Sequence, residues 1–158
     1  AKRTSFIMVE GNIPCFTSSL PISGSGMTDA IAKMLGINFD EAEKTKLAYG
    51  IGSVSQQDLI FKSVKPILDG LANEIERTID FYLSSLNYST SVDRIIICGG
   101  CSNMQGLVPY LSERLGRKIE LGNPWINFIT PEKIPIINKN RSMQYSTAIG
   151  LALKGLYL

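Results

Sequence analysis

Two hydrophobic periodicities alternate along the chain, and each change of period predicts the boundary of an element. A strand-like run, Lys2–Val9, and a second one, Ile13–Ile22, flank the turn sequence Glu10–Asn12, a pattern typical of a β-hairpin. Beyond the hairpin, apolar residues recur at helical spacing. They predict a helix over Thr28–Leu35, a second over Asn38–Tyr49 and a long amphipathic helix over Ile60–Leu86.

The second of these helices carries its own start and stop signals. Asn38 followed by Glu41 predicts a capping box, and Gly50 predicts the end of the helix. The Gly- and Ser-rich stretch Gly50–Gln57 predicts a mobile polar loop. Residues 37–59 interrupt the order of strands and helices around them. We therefore expect a small inserted subdomain, 37–59, within a main unit of residues 1–36 and 60–158.

The second half of the chain predicts a strand–helix–strand unit. The apolar strand Arg94–Cys98 stops at Gly99-Gly100, and Lys118–Leu121 predicts the next strand. Between them, apolar residues at helical spacing predict a helix, at Met104, Leu107, Leu111 and Leu115. The apolar stretch Ser142–Leu156 predicts a terminal helix packed on the core. A hairpin followed by such a unit predicts an α/β fold with a mixed sheet covered by helices.

The composition narrows the classes of function. The 158 residues contain no histidine, which excludes Ser-His-Asp and Cys-His catalysis and most zinc enzymes. A net charge of +2 without a basic cluster argues against nucleic-acid binding, and no uninterrupted apolar run has membrane-spanning length. Three cysteines, an odd number, indicate a reducing, cytosolic setting. The sequence opens at Ala1 on a strand-like run, which we interpret as a fragment or a processed product.

The diglycine Gly99-Gly100 is the first candidate for ligand binding. Between a strand and a helix, two glycines let a purine or a ribose lie against bare backbone, and the amides near Ser102 and Asn103 would add polar contacts. A glycine pair also serves a turn that needs positive φ and binds nothing. The residues alone leave both interpretations open.

Two further patterns have a functional and a structural interpretation. Glu43 and Lys46 share a helix face, where they would either converge on the hydroxyls and ring nitrogens of a ligand or form a solvated ion pair. The turn Ser23–Gly26 would face a phosphate or would only open the next helix, and it lacks the lysine and spacing of a Walker A loop. The glycine pair between Cys98 and Cys101 explains their CxxC spacing without thiol chemistry. We expect Cys98 to be buried at the end of its strand rather than redox-active.

Six stretches of the chain together resemble the second half of the actin-like ATPases of the pilus-assembly PilM type, which are related to the cell-division protein FtsA. In order, the stretches are ISGSGMTDAIAKMLGI, FDEAEKTKLAYG, VKPILDGLANEIERTIDFYLSS, IIICGGCSNMQGLVPYLSERLG, KIELGNPW and QYSTAIGLAL. The resemblance implies an actin-like, ribonuclease H-like half-fold. It also implies that the intact protein binds ATP or ADP with Mg²⁺.

The resemblance assigns residues to the adenosine side of a cleft. The E-x-x-K motif of the family matches Glu43 and Lys46, which would face adenosine. Its G-G-x-[SA] adenosine loop matches Gly99, Gly100 and Ser102. No catalytic residue and no metal ligand is assigned within the chain.

The phosphate side matches the family less fully. The family usually has Gly-Gly before the first helix, where this chain has Ser23-Gly24, and Thr4 lies where a hydroxyl trails the D-x-G phosphate loop. The D-x-G and the N-terminal half are not in this sequence, so we expect no ATP hydrolysis by this chain alone. The strand that carries D-x-G is central in this fold. Without it, the strands Lys2–Val9 and Arg94–Cys98 should keep unpaired edges unless preceding residues or another chain fill the gap.

The implied function is that of the nucleotide-binding half of a PilM-like protein of the type IV pilus assembly machinery. By resemblance, the intact protein is cytoplasmic, lies at the inner face of the cytoplasmic membrane through a partner with a short cytoplasmic tail, and has the capacity to self-associate. One alternative is a nucleotide-independent scaffold of the same assembly, which the serine at Ser23 favours. Another is a sugar or acetate kinase domain, whose catalytic base nothing in the chain marks.

Overall fold

The structure is a computed structural model that describes residues 2–52, 55–85, 91–127 and 137–156. Its strands are β1 (Thr4–Glu10), β2 (Ile13–Leu20), β3 (Ile95–Ile97) and β4 (Ile119–Leu121). Its helices are α1 (Gly24–Leu35), α2 (Phe39–Tyr49), α3 (Ser55–Ser85), α4 (Leu107–Leu115), α5 (Lys139–Ser142) and α6 (Ser146–Leu156). Single 3-10 turns, Gly100–Asn103 and Met143–Tyr145, precede α4 and α6. The element types and their order agree with the sequence pattern.

The long helix α3 is the centre of the core. Its buried stripe recurs at helical spacing and consists of Ile60, Val64, Leu68, Leu71, Ala72, Ile75 and Ile79. Helix α1 packs on this stripe through Met27 and Ile31, and α4 packs on it through Leu107 and Leu111. Burial of this contiguous apolar surface is the main favourable term that holds the helices together.

The strands form two separate pairs rather than one continuous sheet. Strands β1 and β2 pair antiparallel, and β3 pairs parallel to β4 with Ile95 opposite Ile119. Within the described residues, β1 and β3 are not paired with each other, which confirms the expected unpaired edges. A slot of about 240 Å³ separates them and is floored by apolar side chains of α3. We call this cavity, bounded by residues 4–8 and 94–98, the strand slot.

Capping decides where α1 and α2 begin. The hydroxyl of Ser23 accepts from the Gly26 N–H at 3.3 Å, so α1 begins at Gly24 and not at Thr28 as the sequence pattern suggested. The predicted turn at Ser23–Gly26 is therefore the cap and first turn of this helix. The expected capping box of α2 is confirmed, with the Asn38 side chain accepting from the Glu41 N–H at 2.9 Å.

The loop predicted over Gly50–Gln57 is shorter than expected. Helix α3 already begins at Ser55, and residues 53 and 54 lie outside the described part. Gly50 and Ile51 are fixed by the turn before α4, because the Ile51 N–H donates to the carbonyl of Gln105 at 2.9 Å. This bond ties the end of α2 to the segment that follows β3.

The C-terminal helix was predicted as one element packed on the core, and both parts of that prediction are wrong. A 3-10 turn separates the short α5 from α6. Met143, in this turn, is buried, whereas Leu151 in α6 is 66% exposed and only one side of the helix, with Ile149 and Leu153, is half-buried. The described part of the chain therefore covers the apolar surface of α6 only in part. None of the described helices combines the length and apolar character that crossing a membrane requires.

Candidate functional site

A cleft of about 600 Å³ lies where α1, α2 and the turn after β3 meet. It is lined by Gly24, Ser25, Phe39, Glu43, Lys46, Leu47, Gly100, Cys101, Met104 and Gln144. Four residues singled out from the sequence therefore share this cleft, namely Gly24, Glu43, Lys46 and Gly100. A concave surface of this size, with a few polar groups among apolar ones, is typical of a small-molecule site.

Helix α2 contributes one face to the cleft. Phe39, Glu43 and Leu47 follow each other at intervals of four residues, so their side chains project from the same side of the helix. Phe39 is 44% exposed and Leu47 is 62% exposed, although both are large and apolar. The sequence reasoning missed these two residues, and their helical spacing from Glu43 was the signal that would have found them. The result is a carboxylate flanked by two uncovered apolar surfaces.

Lys46 is buried beneath this face, and its ammonium is fully engaged by the protein. The Nζ atom lies 2.6 Å from Oε2 of Glu43, 2.8 Å from the Thr28 hydroxyl and 3.0 Å from the Gly24 carbonyl oxygen. An ammonium has three donors, and three acceptors surround it here. The pair with Glu43 is thus not the solvated ion pair that spacing alone allowed. Lys46 instead joins α2 to the first turns of α1.

Glu43 presents an ionised carboxylate to the cleft. Burial raises its pKa, but hydrogen bonds from Lys46 and Thr28, together with the charge of Lys46, outweigh that effect and hold the pKa below its ordinary value of 4.5. Lys46 and Thr28 both donate to Oε2. Within the described residues, Oε1 accepts no hydrogen bond, and the side chain keeps 38% of its surface exposed. This oxygen is placed to accept from the hydroxyl of a ligand.

The diglycine turn differs from the expected layout. Gly99 has φ +102°, a conformation that side chains rarely adopt, so a glycine is required there by the backbone itself. A 3-10 turn follows, and α4 begins only at Leu107, so no α-helix N-terminus adjoins Gly99-Gly100. At Gly100 an added Cβ would lie 3.2 Å from Cγ of Gln144. The side chain of Gln144, which the sequence reasoning did not single out, therefore lies against the glycine where a ligand was expected.

Three of the predicted site residues do not line the cleft. Ser102 is buried, its hydroxyl donates to the Gly99 carbonyl at 2.6 Å, and it borders the strand slot. Thr4 also borders the strand slot, and its hydroxyl donates to the Ile22 carbonyl at 2.7 Å. Gly99 lines neither cavity. The contacts of Ser102 and Gly99 shape the turn that carries Gly100, and Thr4 anchors the start of β1.

The two cysteines of the CxxC do not have the character of a redox pair. Cys98 is exposed, contrary to expectation, because β3 ends at Ile97. Although the Cys98 residue as a whole is exposed, desolvation of its sulfur raises the pKa of the thiol, and burial raises the pKa of the Cys101 thiol as well. Both effects disfavour the reactive thiolate. Cys101 packs beside Gly24, where an added Cβ would meet its sulfur at 3.2 Å. No cluster of three or more potential metal ligands occurs among residues 2–52, 55–85, 91–127 and 137–156.

Comparisons with known proteins agree with this fold. The family model of the type IV pilus assembly protein PilM matches residues 1–156. The chain is similar to a solved structure of the PilM-PilN type IV pilus biogenesis complex, with 28% identity, a TM-score of 0.79, and coverage of 98% of this chain and 43% of that one. In fold it also resembles the ethanolamine utilization protein EutJ from Carboxydothermus hydrogenoformans, with 20% identity, a TM-score of 0.66, and coverage of 96% and 45%.

The chain thus spans less than half the length of each of these two structures. Both likenesses extend over nearly all of its residues, and they confirm the expected actin-like α/β half-fold. The family model covers the chain almost from end to end. The chain belongs to the PilM family of type IV pilus assembly proteins.

Proposed function

We propose that this chain forms the adenosine side of a nucleotide-binding cleft in a PilM-like actin-fold protein of the type IV pilus assembly machinery. The observation that carries the proposal is the convergence of Glu43 and Gly100 on one cleft, although they lie far apart in sequence and on different elements. Gly24, at the first turn of α1, completes the same cleft. ATP and ADP are the nucleotides that the family resemblance implies.

The lining of the cleft fits the parts of an adenosine. The apolar surfaces of Phe39, Leu47 and Met104 suit the faces of a purine, which gains from leaving water. The ionised Glu43 suits the ribose hydroxyls, because a carboxylate accepts strong hydrogen bonds from them. The first turn of α1 lies at the Gly24 end of the cleft, and a helix N-terminus favours phosphate.

The metal side of the reaction does not fit this chain. The described residues contain no cluster of acidic side chains that would hold Mg²⁺. When bound in the intact protein, Mg²⁺ would neutralise phosphate charge, and its ligands would come from the phosphates and from outside the described residues. We therefore propose that this chain binds the nucleotide and does not hydrolyse it alone.

Calorimetry with ADP tests the proposal. Replacement Glu43→Gln removes the ionised acceptor and should weaken binding by about tenfold or more, since a hydrogen bond to a charged group contributes about 1.5–3 kcal/mol. Asp40→Asn is the matched control, because Asp40 is an exposed carboxylate on the same helix that does not line the cleft. Equal affinities of the two variants would contradict the role of Glu43. A lack of binding by the unsubstituted chain would contradict the proposed function.

A nucleotide-independent scaffold is the second candidate, and one observation favours it. All three donors of Lys46 are occupied by the protein, so the Glu43–Lys46 pair also has a purely structural role in joining α1 to α2. Ser23, in place of the family's glycine, caps α1 with its hydroxyl instead of leaving bare backbone. A scaffold would show no ADP binding, while Lys46→Met would still lower its stability.

We further propose that the intact protein binds the short cytoplasmic tail of a pilus-assembly membrane partner. The likeness to the PilM-PilN complex supports a membrane partner for the intact protein. On the same grounds we propose that the intact protein lies in the cytoplasm, at the inner face of the cytoplasmic membrane, and that it self-associates. By family resemblance, the groove for the tail lies mainly outside this chain.

A further inference from the structure

We propose that Gln144 reads the base of the bound nucleotide and sets the preference for adenine. This inference rests on the proposed function and names the residue that gives the cleft its selectivity. Gln144 lies in the 3-10 turn before α6 and lines the cleft together with Glu43 and Gly100. Nothing in the local sequence pattern marked it, because it precedes an ordinary helix start.

The backbone of Gln144 is held in place while its side chain reaches into the cleft. Its neighbour Met143 is 2% exposed and Ser142 is completely buried. The Ser146 hydroxyl donates to the Met143 carbonyl at 2.8 Å, which closes the turn. Gln144 itself is exposed. A fixed backbone that carries an exposed side chain is the arrangement that positions a recognition residue on a rigid element.

The side chain of Gln144 lies close to Gly100. A Cβ at residue 100 would lie 3.2 Å from Cγ of Gln144 and in ordinary contact with Cδ at 3.8 Å, so the bare glycine lets the Gln144 side chain lie close to the backbone of the turn. The carboxamide of Gln144 thus lines the same cleft that we propose for adenosine.

The side chain of Gln144 also offers the cleft both a hydrogen-bond donor and a hydrogen-bond acceptor. Within the described residues its amide nitrogen and oxygen make no hydrogen bond with the protein, whereas the donors of Lys46 are all engaged. A carboxamide offers a donor and an acceptor side by side and pairs with the N6 amino group and a ring nitrogen of adenine. Glu43 facing the ribose cannot distinguish bases, because all nucleotides share that sugar.

The test compares ADP with GDP on the full chain. Gln144→Leu keeps a side chain of similar size over Gly100 but removes the amide. We expect it to weaken ADP binding about five- to twentyfold and to bring the ADP and GDP affinities to within about twofold of each other. Glu43→Gln should weaken both nucleotides alike and leave their ratio unchanged. Gln105→Leu is the matched control, because Gln105 is exposed and does not line the cleft.

A direct readout separates recognition from packing. In an amide-detected NMR spectrum, the side-chain NH₂ signal that disappears in Gln144→Leu belongs to Gln144, and it should shift when ADP is added. If that signal does not move, or if Gln144→Leu keeps the ADP-to-GDP ratio of the unsubstituted chain, this inference is overturned while the cleft stands. If the unsubstituted chain binds neither nucleotide, the proposed function fails and this inference fails with it.

Discussion

The ammonium of Lys46 lies 3.0 Å from the carbonyl oxygen of Gly24, and this contact joins the C-terminal part of α2 to the first residue of α1. The same ammonium bonds the Thr28 hydroxyl and the Glu43 carboxylate. A single buried charge thus fixes the two helices that frame the cleft.

Removal of this charge should destabilise the fold. Lys46→Met removes the donor of three hydrogen bonds, to the Gly24 carbonyl, the Thr28 hydroxyl and the Glu43 carboxylate, at a site that is 3% exposed. We therefore expect the free energy of unfolding to fall by about 1–3 kcal/mol. Urea unfolding measures the change. Lys44→Met, on the exposed side of the same helix, is the control and should leave the midpoint unchanged. A midpoint shift of equal size in both variants would show that the contacts of Lys46 contribute nothing.

The lowered pKa of Glu43 predicts a loss of stability in acid. A carboxyl whose pKa is lower in the folded state than in the unfolded state stabilises the fold above its ordinary pKa of 4.5, and this contribution disappears as the pH falls through the folded value. Other carboxyls titrate in the same range. The measurement is therefore the difference in unfolding free energy between the unsubstituted chain and Glu43→Gln, which should shrink below pH 4.5. A difference that does not change with pH would contradict the ion pair.

A hydrogen bond on the other side of the core joins α4 to α3. The Tyr110 hydroxyl donates to Oδ1 of Asp69 at 2.6 Å. Burial, the hydrogen bond and the charge of Asp69 raise the pKa of Tyr110 to about 12. Since the fold prefers the protonated phenol, the stability it contributes is complete below the ordinary pKa of 10 and is lost as the pH rises toward 12.

Tyr110→Phe tests this bond. We expect a loss of about 1 kcal/mol at neutral pH, because one partly buried hydrogen bond is removed while the ring packing against Phe61 remains. The pKa of Tyr82 is also raised to about 12, so in an ultraviolet titration of the phenolates the variant should lose one of the two tyrosines that ionise near pH 12. An unchanged titration curve in the variant would mean that Tyr110 ionises normally.

Gly50 controls how α2 meets the segment after β3. Its φ is +60°, and an added Cβ would overlap the backbone carbonyl of Gln105, which cannot yield as a flexible side chain does. Gly116 has a similar φ of +58° but open space around it, so it isolates the cost of backbone strain. Gly50→Ala should therefore cost roughly 1–3 kcal/mol more than Gly116→Ala in thermal unfolding. Equal costs would contradict the close approach at Gln105.

The partner tail should bind this chain weakly. If its groove lies mainly outside the chain, titration with a synthetic peptide of a partner's cytoplasmic tail should give a dissociation constant well above the submicromolar range. Submicromolar binding would place the groove on this chain. A scrambled peptide of the same composition controls for charge.

Most elements were predictable from local signals, and the failures have a physical pattern. Periodicity located α3, and the Asn38–Glu41 pair located the start of α2, because caps and apolar faces are encoded within a few residues. The start of α1 was missed because two glycines near a helix end normally indicate a break, while the Ser23 cap compensates for them. The exposure of α6 was unpredictable, since an apolar helix face does not reveal whether a neighbour covers it.

The site was predictable only in part, for a similar reason. Spacing placed Glu43 and Lys46 on one face, but it did not reveal that Lys46 points beneath that face into a buried cluster. Gly100 was identified by its chemistry, whereas Gln144 was not, because only the folded chain brings the two together. The local sequence pattern identifies side chains that could bind a ligand. The tertiary contacts decide which of them remain available to one.

The strand slot has a mechanical consequence. No backbone hydrogen bond joins the hairpin to the β3–β4 pair within the described residues, and side chains of α3 floor the slot between them. Gly24 and Cys101 line both the slot and the cleft, so the two cavities are neighbours. An extended segment bound there would join the two strand pairs through backbone hydrogen bonds and would lie beside Gly24, which also lines the cleft. We therefore expect that a segment bound in the slot would make the walls of the cleft more rigid.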